Sequence, residues 1–161
     1  MNVNTHLPHR PDAIILSRQS KLLEFLTIPS EGLRPEMAKS SKLVAAKRGR
    51  VLLVRRRRDG LWMFPGGRKR ERESEKTCLR REIKEELPKL KLGRLRLWKE
   101  VKTKNRHSGR RMSDAIFIAN KTSGQLSIGD KREIDRASWR RPYGVRLTPT
   151  SRYVRDKLFP E

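Results

Sequence analysis

Between the bend Pro65-Gly66-Gly67 and Pro88 the chain writes RKRERESEKTCLRREIKEEL, a periodic run closed at both ends by residues that interrupt regular structure. Ser74 is a good helix N-cap, Glu75 complements the positive end of a helix dipole, and Pro88 stops the far end, so a helix of about four turns is predicted over residues 74–87. At about 100° per residue, Leu79, Ile83 and Leu87 form one stripe. Glu82, Glu85 and Glu86 form the next, with Glu75 in line, while Arg80 and Lys84 fall on a third side that can face water. Such a helix must bury one face in a core and hold an acidic face beside it.

The partner layer is visible in short apolar runs. VLLV, LWMF and AIFIA recur at sheet-like spacing. The segment from Ala38 to Arg58 reads as a strand, a Lys-Arg-Gly turn and a second strand, forming a hairpin. LGRLRLWKEVK and SDAIFIANK read as strands flanking the basic loop TKNRHSGRR. EIDRASWRR reads as a last strand, and a terminal helix begins near Thr148. Strands interleaved with one central and one late helix predict a mixed-sheet α/β protein.

Negative charge is out of place here. The chain of 161 residues has 41 Lys and Arg against 18 acids, a formal charge of +23, yet Glu71, Glu73, Glu75, Glu82, Glu85 and Glu86 crowd into one segment. Glu82 and Glu86 are a like-charge i,i+4 pair, which costs an isolated helix about 0.2–0.5 kcal/mol. A divalent cation explains the expense: magnesium takes oxygen ligands only, keeps several waters, and is commonly shared between carboxylates and substrate phosphates. Three carboxylates on one face could hold one to three such ions and leave a group to orient or deprotonate a water.

Gly67, Glu73, Arg81-Glu82-Ile83 and Glu85-Glu86 reproduce seven specified positions of a known motif across 20 residues, preceded by Trp62-x-x-Pro-Gly-Gly. In this the chain resembles the Nudix hydrolases, of MutT type. It departs at Pro88, where the family has a second Gly, and at Lys89, where it has an aliphatic residue. The resemblance implies a Nudix α/β/α sandwich, with a mixed sheet and a catalytic loop-helix, that hydrolyses a diphosphate linkage with Mg2+ or Mn2+. By the same resemblance Glu82, Glu85 and Glu86 would bind the ions, with Glu82 a candidate for activating water. Gly66 would offer a backbone carbonyl, and Glu73 and Arg81 would brace the loop and helix. A further acid from a later loop is expected, and Glu133 is chosen over Asp130 and Asp135.

Three basic clusters surround the motif and suit a phosphorylated small-molecule substrate: residues 55–58, residues 68–70, and Lys102, Lys104, Arg106, Arg110 and Arg111. Arg56, Arg58, Arg68 and Arg106 are the chosen substrate contacts, with Trp62 offered for base stacking although its apolar strand better suits a core. KLGRLRLWKE and KTKNRHSGRR resemble the corresponding region of diphosphoinositol polyphosphate phosphohydrolases. The alternatives are a nucleoside triphosphate or RNA 5′-end pyrophosphohydrolase, and a non-catalytic basic module that binds nucleic acid nonspecifically on the same scaffold.

Residues 1–38 read as an N-terminal extension with one helix over 17–27, and 39–161 as the hydrolase domain; Met37 is an alternative start. No run approaches the roughly 20 apolar residues of a membrane span. One cysteine, Cys78, permits no internal disulfide and fits a reducing, cytoplasmic setting.

Overall fold

A computed structural model describes residues 39–104, 109 and 111–161. The helix expected over 17–27, Met37, Arg106, His107 and Arg110 lie outside the described residues. The order is β1 (Ser40–Val44), β2 (Ala46–Lys47), β3 (Arg50–Arg56), β4 (Trp62–Met63), α1 (Glu75–Glu86), β5 (Leu90–Leu92), β6 (Leu95–Lys104), β7 (Arg111–Ala119), β8 (Thr122–Gly124), β9 (Ile134–Arg140) and α2 (Pro149–Leu158).

One sheet runs β1-β7-β6, with β1 parallel and β6 antiparallel to β7. In the second, β9 lies antiparallel along one edge of β3, and the short β2 and β4 share the other. β5 and β8 make a small separate ladder that the sequence did not announce. The expected hairpin is correspondingly reduced. It survives only between β2 and β3, around Arg48 and Gly49, both at positive φ as a two-residue turn of this kind requires. β1 belongs to the other sheet because both its edges are taken, by β7 and by the bend after β4. Leu43 N–H donates to Pro65 O (2.8 Å), and Ser41 N–H to Gly67 O (3.0 Å).

Strands buried on both faces read as continuous apolar runs, and period-two alternation then divides them. Leu43, Leu52, Val54, Ala115 and Phe117 turn to a core roofed by Leu79, Ile83 and Leu87 from α1. Val44, Val51, Leu53, Ile116 and Ile118 turn to a core closed by Val154 and Leu158 of α2. Helix, sheets, helix: the architecture is the α/β/α sandwich. Full burial of Leu79 and Ile83 contributes about 1.5–3 kcal/mol each, so α1 is pinned with its acidic stripe at the rim of that core.

Candidate active site

α1 begins as the sequence predicts. Ser74 Oγ accepts from Thr77 N–H (3.1 Å), and the helix ends at Glu86 with Leu87 as C-cap. Pro88 denies this helix a left-handed glycine exit, and another part of the chain satisfies its last carbonyls. Gly129 N–H donates to Glu86 O (2.9 Å) and Asp130 N–H to Glu85 O (3.1 Å). A Cβ at Gly129 would run into Glu85 O, so glycine permits this docking. The docking sets Asp130 and Glu133 across from the acids of α1.

The result is a cleft of about 380 Å³. Its lining brings together Glu82, Glu85 and Glu86 of α1, Asp130 and Glu133 of the later loop, and Arg68 and Arg70 of the bend. Arg81 ties loop to helix. Its Nε and Nη2 donate to the two carboxylate oxygens of Glu73 (2.9 and 3.0 Å), Nη2 also donates to Arg68 O (3.0 Å), and Nη1 donates to Glu82 (2.7 Å) and Glu85 (3.2 Å). These bonds, chiefly from the Arg81 side chain and then from Arg70 N–H, hold the Glu73 carboxyl down to about 2. The same carboxylates push the Arg81 guanidinium above its ordinary value.

Glu86 is held differently. Its side chain is buried, and Oε2 accepts from Gly66 N–H (2.9 Å). Burial pushes its carboxyl up to about 7. Lys42 and the Gly66 N–H pull the other way, while the Glu82 and Glu133 charges add to the rise. Lys42, which the sequence analysis does not single out, donates from Nζ to Gly66 O (2.8 Å). The bend sits so close to β1 that a Cβ on Gly66 would collide with Ser41 O. One on Gly67 would strike the Glu82 carboxylate.

The donor set fits a hard divalent cation. It is all oxygen, it includes a buried carboxylate whose negative form lacks a full counter-charge, and it opens onto a cleft with room for phosphate and water. Among the described residues no three acidic, His or Cys side chains close on one point. Glu82 and Glu85 are meanwhile bridged by Arg81.

Other expected contacts lie elsewhere. Arg56 and Arg58 pair with Asp59, and Arg55 makes a two-bond pair with Asp135 (2.8 and 2.7 Å), so none of the three lines the cleft. Trp62 is 7% exposed, lies in the α2-side core, and has the Arg140 guanidinium 4.5 Å from its ring centre. Asp130 lines the cleft alongside Glu133, its carboxyl drawn down by Arg132. No sequence spacing marks Asp130 or Lys42; long-range contacts place them.

Fold and site together define a class: an α/β/α-sandwich hydrolase of phosphoanhydride bonds. A family model for the NUDIX domain matches residues 41–160, and the chain belongs to the Nudix family. Among solved structures it is similar to a MutT NUDIX hydrolase from Burkholderia pseudomallei, at 24% identity and TM-score 0.66 over 73% of this chain and 95% of that one. It is also similar to the E. coli dihydroneopterin triphosphate pyrophosphohydrolase, at 18% identity and TM-score 0.59 over 76% and 97%. A UDP-X diphosphatase matches at 18% identity and TM-score 0.54 over 87% and 70%. At these identities the likeness is one of fold. No curated protein matches the chain by sequence.

Proposed function

We propose that this chain is a Mg2+- or Mn2+-dependent pyrophosphohydrolase that cleaves a diphosphate linkage in a phosphate-rich substrate, of nucleoside diphosphate-X or diphosphoinositol polyphosphate type. The observation that carries the reading is the meeting of five carboxylates, from α1 and from the loop docked on its end, in one cleft rimmed by Arg68 and Arg70. Glu82, Glu85, Glu86 and the Gly66 carbonyl would hold the ion or ions, with Glu133 or Asp130 facing them. The metal supplies positive charge to the phosphate oxygens and a water of lowered pKa.

The chain's own groups do the rest. Arg81 fixes Glu82 and Glu85 relative to Glu73. Arg68 and Arg70 meet the outer phosphate oxygens as planar donor forks. Buried Glu86, whose carboxyl burial pushes up to about 7 without metal, would give up its proton as the ion binds. Glu82, against the Gly67 backbone, remains the acid assigned to orient the attacking water.

A nucleoside triphosphate, or an RNA 5′ end, is the second reading, supported by the triphosphate substrate in the name of the E. coli neighbour. Burial of Trp62 weighs against stacking of a base on that ring. We place the enzyme in the cytoplasm, a setting in which buried, unpaired Cys78 stays reduced; among the described residues no helix is long and apolar enough to cross a membrane. The test is a phosphate-release screen over nucleoside diphosphate derivatives, triphosphates and diphosphoinositols with each metal. Turnover that requires metal and disappears in Glu85→Gln supports the proposal. Metal-independent turnover, or salt-sensitive nucleic-acid binding with no turnover on any of these, overturns it.

A further inference from the structure

A second concavity, of about 410 Å³, lies outside the acidic cleft and is lined by Lys39, Lys102, Thr103, Lys104, Arg111 and Ser113, together with Met112. Register explains its charge. Lys102 stands opposite Ser113 and Lys104 opposite Arg111, so alternation sends all four side chains to one face of the β6-β7 pair. Lys39 joins from just before β1, its N–H bonded to Ser113 O (3.0 Å). Like charges directly opposite, as in Lys104 and Arg111, destabilise a sheet. Among the described residues no acid lines the concavity and no carboxylate pairs with Lys39, Lys104 or Arg111. Glu100 is near, but its carboxylate accepts from Ser113 Oγ.

The bend after β4 joins the two cavities. Lys69 N–H donates to Lys39 O (3.0 Å), Ser41 N–H to Gly67 O (3.0 Å), and Ser40 bridges to Arg68, so residues 67–69 run beside β1 as an extra strand. Crossing from that segment past its neighbour Lys39, over β1 and β7 to β6, at about 4.8 Å per strand, puts Arg111, Lys102 and Lys104 about 10–15 Å from the glycine floor of the acidic cleft. That exceeds the reach of one diphosphate. It suits a molecule bearing phosphate at both ends.

We propose that the concavity formed by Lys39, Lys102, Lys104 and Arg111 is a second phosphate subsite, which holds a phosphate group of the substrate remote from the linkage that is cut. The inference rests on the functional reading above and narrows its substrate class to phosphate-dense small molecules. An oligonucleotide strand is disfavoured because, among the described residues, no aromatic side chain lines the concavity to stack a base.

The experiment separates subsite from activity. Calorimetric binding of inorganic tripolyphosphate to the full chain is measured in EDTA at 0.1 M salt, which removes the metal from the acidic cleft. Lys104→Ala/Arg111→Ala should weaken binding about 10-fold or more without loss of thermal stability, since a repulsive pair is removed. Glu85→Gln and the exposed control Lys89→Ala/Lys91→Ala should leave it unchanged. Equal weakening by the control pair would mean general attraction to a basic surface and overturn the subsite. If Lys104→Ala/Arg111→Ala misfolds, Lys104→Gln/Arg111→Gln carries the same test. In turnover, KM for a diphosphoinositol should rise about 10-fold in the double variant while kcat/KM for ADP-ribose stays within about 2-fold. Equal losses on both substrates overturn the assignment, as does tighter binding of a 5′-phosphorylated oligonucleotide than of tripolyphosphate. Specific binding without turnover on any substrate leaves the subsite standing and removes the hydrolase reading.

Discussion

Replacing Glu86 with Gln should stabilise the metal-free protein in alkaline solution and do nothing for it in acid. Glu86 is 2% exposed and its carboxyl titrates near 7 when folded, against 4.5 in an unconstrained chain. Between those values the folded state binds a proton that the unfolded state has released, so stability falls as pH rises from about 4.5 through 7, and the full penalty remains above 7. The separation corresponds to about 3 kcal/mol. Gln keeps the acceptor for Gly66 N–H and never ionises. Urea denaturation in EDTA should therefore find Glu86→Gln up to about 3 kcal/mol more stable than the parent at pH 8.5, with the gain shrinking to near zero by pH 5. Mg2+ at a thousand times the dissociation constant should reverse the order at pH 8.5, since the parent then gains about 4.1 kcal/mol and the variant gains little. A variant less stable than the parent at pH 8.5, or an offset that is the same at pH 5, would refute the claim that a buried, under-compensated carboxylate is kept for the metal.

Three further outcomes follow from the same geometry. Arg81→Lys loses the planar fork that joins Glu73, Arg68 O, Glu82 and Glu85, so thermal melts should show a loss of about 1–3 kcal/mol and steady-state assays a larger fall in kcat than rise in KM. The Glu73–Arg81 pair, with its carboxyl held to about 2, adds stability above pH 4.5 that parent protein should lose as pH falls towards 2 and that Arg81→Lys should largely lack. Gly67→Ala places a methyl against the Glu82 carboxylate, and since that carboxylate ends a movable side chain the fold should persist while metal-dependent kcat drops about 10-fold or more; unchanged turnover would show that Glu82 need not sit against the bend.

What the sequence determined by itself is local. Ser74 as cap, the apolar and acidic stripes of α1, and the two-sided runs VLLV and AIFIA depend on residues within one or two turns or one strand, and backbone geometry alone relates them. Tertiary structure decided everything that joins distant segments. β1 left its expected hairpin because β7 and the bend claimed its edges, and Arg55 turned to Asp135 because β3 and β9 align in a register that no spacing reveals. Gly129 carried Asp130 and Glu133 to the end of α1, and Lys42 reached the Gly66 carbonyl, through contacts across 24 or more positions of chain. The acidic stripe is thus written in one helix, but the opposite wall of its cleft exists only after packing, because side-chain direction across a sheet is set by pairing and pairing is settled by the whole core.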